Sequence, residues 1–100
     1  MVKHMILWKL DEKLTESEKE QIRINAKREL EGLFGVVPGL LNIEITISRL
    51  ESSNADMMLD STFESIEALK AYKDHPEHVR VANNFVRPFT VQRLCLDFSL

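Results

Sequence analysis

Residues Val2 to Leu10 read Val-Lys-His-Met-Ile-Leu-Trp-Lys-Leu, a strand whose middle is apolar on both faces. Period-two alternation puts His4, Ile6 and Trp8 on one side and Lys3, Met5, Leu7 and Lys9 on the other. Such a strand has to be covered from two directions. The chain has 100 residues, which is enough for one domain spanning 1–100 and one layer of helices over a sheet. Helices can cover Ile6 and Trp8. The simplest cover for Met5 and Leu7 is a second copy of the sheet, so a homodimer is expected.

The rest of the chain supplies the parts of such a sheet. Thr15 with Glu18 three positions on is a capping box that opens a long helix carrying Ile22, Ala26, Leu30 and Leu33. Gly35 suits a left-handed helix end, and Pro38 keeps the helix from resuming. Leu41, Ile43, Ile45 and Ile47 alternate with Asn42, Glu44, Thr46 and Ser48 in the cleanest strand of the sequence. After the polar loop Glu51-Ser52-Ser53-Asn54 comes a less regular strand, Asp56 to Phe63. Ser65 caps a second helix with Ile66, Leu69 and Tyr72, which must stop by about His75 because of Pro76. Pro76 opens another helix, lined on one side by His78, Ala82, Phe85 and Phe89. Val91 to Phe98 is the last strand.

The order is β-α-β-β-α-β with one extra helix before the final strand. This predicts an α+β, ferredoxin-like fold with a four-stranded antiparallel sheet and all helices on one face. In that order the first and last strands are neighbours running in opposite directions, so His4 and Asp97 should be close.

Composition narrows the function. A net charge of −3 and a pI of about 5.6 leave no basic excess for phosphates, so a nucleic-acid partner is not expected. The single cysteine, Cys95, cannot form an internal disulfide, and no apolar run is long enough for a signal or a membrane span. The expectation is a cytoplasmic protein that does not act at a membrane.

The candidate chemistry lies in His4, Tyr72, His75, His78 and Asp97. Each has a plain structural reading. His75 can cap backbone groups at a helix boundary, Tyr72 can be core with its hydroxyl at the edge, His4 can be a satisfied buried histidine, and Asp97 can pair with Arg93 or a backbone amide. His78 sits on the inward helical face, where an apolar setting favours the neutral imidazole and suits a base near neutral pH. Two histidines and a carboxylate from His4, His75, His78 and Asp97 could hold a metal. The His-x-x-His spacing is weak, however, and Pro76 leaves its geometry undefined, so neither a metal nor a cofactor is expected. No serine has a nucleophile-elbow setting, and there is no glycine-rich phosphate loop.

Taken in order, these residues resemble the stress-responsive A/B barrel domain (Dabb) family. The likeness is carried by the opening Val-Lys-His-Met-Ile-Leu-Trp-Lys-Leu, by Pro38-Gly39-Leu40, and by Phe63-Glu64-Ser65-Ile66-Glu67-Ala68-Leu69 running into Tyr72, His75, Pro76, His78 and Val79. Asp97 in the last strand completes it, and the likeness spans essentially the whole chain. The resemblance implies a dimeric α+β barrel closed sheet to sheet. It also implies a distant likeness to a plant polyketide cyclase, which closes a linear chain by intramolecular aldol condensation. By that likeness His78 would be the general acid/base, Tyr72 its partner at the reacting carbonyl, and Asp97 the group that orients His78. His4, Ile6 and Trp8 would line a hydrophobic pocket for a small carbonyl compound. The first helix departs from an aromatic-lined cyclase by offering Ile22, Ala26 and Leu30, and Trp8 could fill the space. The alternative is a non-catalytic stress-response or small-molecule-binding module using the same pocket. A dimeric-barrel oxygenase is a third reading, with no cofactor-specific residue behind it.

Overall fold

The computed structural model describes residues 1–100. Strand β1 (Val2–Leu10) is followed by α1 (Glu16–Glu31), β2 (Leu40–Thr46), β3 (Met57–Phe63), α2 (Ile66–Asp74), α3 (Pro76–Val81) and β4 (Thr90–Ser99). A π-helical turn, Ala82–Val86, and a 3₁₀ turn, Arg87–Phe89, join α3 to β4. The sheet order is β2-β3-β1-β4, antiparallel throughout. This is the expected ferredoxin-like arrangement, and it puts β1 in the interior of the sheet. No helix is long and apolar enough to cross a membrane.

Helix α1 starts where the capping box places it. The Thr15 hydroxyl accepts from the Glu18 backbone N–H, and the Glu18 carboxylate accepts from the Thr15 N–H. Ile22, Ala26 and Leu30 are its buried stripe. The helix ends at Glu31, earlier than Gly35 alone implies. Gly35 instead serves the following turn at φ 84°. Gly39 has φ 82°, and a Cβ there would come within 2.5 Å of the Ala68 Cβ, so α2 packs directly on the Gly39 backbone.

Two details depart from the sequence pattern. Leu41 does not join Ile43 and Ile45 inside, because the β2–β3 register shifts between Leu40 and Asn42. The shift buries Leu40 and leaves Leu41 exposed. Strand β3 is more regular than its composition implies, burying Met57, Leu59, Ser61 and Phe63 in strict alternation. Ser61 fits that interior because its hydroxyl donates to the His4 carbonyl at 2.8 Å.

The helical pair behaves as Pro76 requires. Ser65 caps α2, and His75 ends α2 and caps α3, its Nδ1 accepting from the Glu77 N–H at 3.1 Å. Leu69 and Tyr72 are buried, but Ile66, the first residue of α2, is exposed. In the last helical stretch Ala82 is buried, Phe85 and Phe89 pack partly buried on the core and His78 is partly buried, as the expected stripe requires, and Val81 and Val86 are buried beside them. The π turn brings Val86 inside, since its wider hydrogen-bonded loop departs from the 3.6-residue period after Ala82.

Along β1 the two-faced pattern resolves cleanly. Val2, His4, Ile6, Trp8 and Leu10 are buried under the helices. On the opposite face Leu7 is 42% exposed beside Leu94 at 59% and Leu96 at 64%, with Phe98 exposed next to them. That face of the sheet has no cover within the chain.

Candidate functional site

The β1–β4 register decides which side chains meet. His4 pairs with Asp97, Ile6 with Cys95 and Trp8 with Arg93. Arg93, Cys95 and Asp97 therefore share the helix side of the sheet, and Leu94, Leu96 and Phe98 take the bare side. Asp97 Oδ1 lies 2.5 Å from His4 Nδ1. A carboxylate only accepts, so this nitrogen carries the proton and Nε2 of His4 holds the lone pair. Burial lowers the His4 pKa below its ordinary value and outweighs the Asp97 bond that would raise it. Burial alone would raise the Asp97 carboxyl, but the hydrogen bond and charge of His4 hold it below the usual range. Cys95 Sγ adjoins both, at 3.7 Å from His4 Nδ1 and 3.5 Å from Asp97 Oδ1. The Lys73 ammonium approaches Asp97 Oδ2 at 3.9 Å.

Tyr72 and His78 form a second group. Residues six apart across the Pro76 boundary would not meet on one straight helix. The break lets α3 turn its first residues back over α2. The two rings lie 4.1 Å apart between centroids, inclined at 35°. Tyr72 also meets His4 edge-on at 6.2 Å and Phe63 at 4.9 Å. His78 Nδ1 sits 3.2 Å from the Lys73 carbonyl, so Nδ1 is the protonated nitrogen and Nε2 is free to accept a proton. Burial lowers the His78 pKa, with Arg87, His4 and Arg93 adding to the effect against the Lys73 carbonyl bond. Burial pushes the Tyr72 phenol far above its ordinary range, so it remains a hydrogen-bond donor.

Both rings line one cavity of about 90 Å³, with Ile6, Trp8, Leu30 and Leu59 as apolar walls and the exposed Arg87 and Arg93 contributing cationic groups. The Tyr72 hydroxyl makes no hydrogen bond within the chain, yet it is not sealed away: the one buried side-chain polar atom without a partner is Arg23 Nη1. The cavity is thus bounded by Tyr72, by a neutral imidazole and by two arginines, of which Arg87 also donates to Asn83 Oδ1 at 2.7 Å.

Of the residues the sequence singles out, Tyr72, His78, Ile6 and Trp8 come together at this cavity. Two expectations are corrected. Asp97 does not orient His78. It lies across the ladder from His4 and holds that ring, while His78 is oriented by the Lys73 carbonyl. His4 does not line the cavity, because its Nδ1 edge is drawn toward Asp97 and Tyr72 stands against its ring. His75 caps a helix and joins no cluster. Sequence reasoning gives no role to Arg87, whose position depends on the π turn before it. Strand parity does signal that Arg93 and Cys95 share the helix side with Asp97.

Residues 2–100 match the profile of the stress responsive A/B barrel domain. The chain is 26% identical to olivetolic acid cyclase of Cannabis sativa over 102 residues, covering 98% of this chain and 95% of that protein. Among solved structures it is similar to a dimeric ferredoxin-like protein of unknown function from Bacteroides fragilis, with a TM-score of 0.93, 26% identity, and 99% and 95% of the two chains covered. It is also similar to a dimeric ferredoxin-like protein of unknown function from Thermobifida fusca, with a TM-score of 0.79, 25% identity, and coverage of 99% and 90%.

Proposed function

The chain belongs to the stress responsive A/B barrel domain family, and on that premise we propose that it is a homodimer whose subunits each move a proton next to the carbonyl of a small compound, using Tyr72 and His78. The observation that carries this reading is the 4.1 Å approach of the Tyr72 and His78 rings at the wall of one cavity.

In the proposed step His78 Nε2 takes a proton from the carbon next to the carbonyl. The C–H electron pair moves into an enolate, and the Tyr72 O–H donates to the developing oxyanion. The enolate carbon then attacks a second carbonyl, as in an aldol closure, and the new alkoxide takes the proton back from His78, or the carbon recovers that proton itself. A positioned base contributes about 10²–10⁴-fold and an oxyanion donor about 10²–10³-fold. The neutral state of His78 and the persistent proton of Tyr72 suit those two roles. Arg87 and Arg93 add positive charge beside the enolate.

The cavity sets the scale of the substrate. At about 90 Å³ it holds roughly three waters at ~30 Å³ each, well below the ~300–1,000 Å³ of typical ligand pockets. A compound of a few heavy atoms, or the reacting end of a longer one, fits. That small volume, with Trp8 in its wall, also favours a second reading: a non-catalytic module that binds a small molecule in the same place.

The dimer is supported by the uncovered apolar face around Leu7, Leu94 and Leu96 and by the dimeric relatives from B. fragilis and T. fusca. The test of the catalytic reading is incubation with a panel of small ketones, aldehydes and 1,3-dicarbonyl compounds in D₂O, followed by NMR. Deuterium entering next to a carbonyl faster than in buffer, and lost in His78→Ala and Tyr72→Phe, supports it. Saturable binding of a panel member with no exchange selects the binding module.

A further inference from the structure

We propose that His4, Cys95 and Asp97 form a binding site for one divalent transition ion of the zinc class, on the helix side of the sheet and separate from the Tyr72–His78 cavity. The three side chains offer one nitrogen, one sulfur and one oxygen, all within 4.8 Å of one another. This mixed set is the kind that zinc accepts and that magnesium and calcium do not.

The separations fit a metal centre. Zinc bonds of about 2.3 Å to sulfur and 2.0–2.1 Å to nitrogen or oxygen, at tetrahedral angles, place sulfur roughly 3.5–3.6 Å from each of the other two ligand atoms. The chain has Cys95 Sγ at 3.7 Å from His4 Nδ1 and 3.5 Å from Asp97 Oδ1. Only the His4–Asp97 edge must open, from 2.5 Å to about 3.3 Å on the same bond lengths. Asp97 is half-exposed on an edge strand and can give by that amount. The ion would replace the proton now shared by those two groups.

The proton balance is simple. Cys95 releases its thiol proton to solvent and binds as thiolate. His4 moves its proton from Nδ1 to Nε2 and binds through Nδ1. Asp97 is already ionised. Three protein ligands leave a fourth position for water. Lys73, 3.9 Å from Asp97 Oδ2, and Arg93, two residues from Cys95, oppose a cation. Lys73 is half exposed on a long stem and can swing away, so the site is one loaded from solution rather than one the fold depends on. In the proposed dimer it stays accessible, because Cys95 and Asp97 face the helices while Leu94 and Leu96 face the partner.

The experiment uses the full chain, freed of metal and of any affinity tag, titrated with Co²⁺ and separately with Zn²⁺. The expected result is one ion per subunit, with a thiolate-to-cobalt charge-transfer band in the near ultraviolet. Cys95→Ser should abolish the band, and Cys95→Ser and Asp97→Asn should each weaken Zn²⁺ binding at least tenfold, whereas His75→Ala leaves it unchanged. Zn²⁺ should also slow alkylation of Cys95 in the parent protein, a readout that needs no variant to fold. Binding without a charge-transfer band, equal affinity in parent and Cys95→Ser, or alkylation indifferent to Zn²⁺ would overturn the site.

Discussion

Asp97 stands directly opposite His4 in the β1–β4 ladder and accepts a hydrogen bond from its Nδ1 at 2.5 Å. A buried imidazole is thereby kept in one tautomer by a carboxylate that itself reaches solvent. The same ring abuts Tyr72, so this pair supports the wall from which Tyr72 faces the cavity.

Stability should fall as pH drops below about 6.5. Both His4 and His78 have folded-state pKa values below the ordinary histidine value. Between the lowered value and 6.5 the unfolded chain binds protons that the folded chain refuses, so unfolding is favoured there. Asp97, with its lowered pKa, adds a stabilising contribution that is lost only at more acid pH, as it protonates in the folded state. Urea melts from pH 8 to 4 check this: a plateau above neutrality, then a decline whose upper part is shallower in His78→Gln.

Gly39→Ala and Gly35→Ala separate backbone strain from crowding. Both glycines have positive φ, but only at Gly39 would a new Cβ meet another side chain, that of Ala68. Gly35→Ala should cost about 1–2 kcal/mol of strain. Gly39→Ala should cost about 2–5 kcal/mol, because overpacking against α2 is added. Equal losses in denaturant melts would mean that Ala68 moves aside freely.

Thr15→Ala should destabilise the protein by about 0.5–2 kcal/mol through loss of the α1 cap. Ligand affinity should be untouched, since Thr15 is remote from the cavity. Coincident melts of the variant and the parent would show that the capping box contributes nothing measurable.

The fold was legible because its signals are local. The Thr15–Glu18 box, the Ser65 cap, Pro76 and the alternation of β1 each mark an element without help from the rest of the chain. Strand order and parity then carried the sequence as far as the His4–Asp97 contact. Leu41 failed because a register shift in β2 inserts an irregularity that ideal periods ignore, and the burial of Val86 beside the inward His78–Ala82–Phe85–Phe89 stripe was missed because a π turn follows α3. The orientation of His78 was illegible because its partner is a backbone carbonyl, that of Lys73, which no residue type announces.

Leu96→Glu should convert the protein to a monomer. Leu96 is 64% exposed on the bare face of the sheet, and a charge there would be buried unpaired in a sheet-to-sheet interface expected to reach roughly 2,000 Å² or more. Sedimentation at micromolar concentration should find the parent as a dimer and Leu96→Glu as a monomer. A monomeric parent would remove the dimer from this account.

If His78 is the base at the cavity it shares with Tyr72, the pH profile of α-proton exchange carries its signature. For a carbonyl compound that the protein exchanges, the rate should rise through an apparent pKa below 6.5 to a plateau near neutrality, and it should fall by about 10²-fold or more in His78→Ala. An exchange rate in His78→Ala equal to that of the parent, with the same pH profile, would contradict that role.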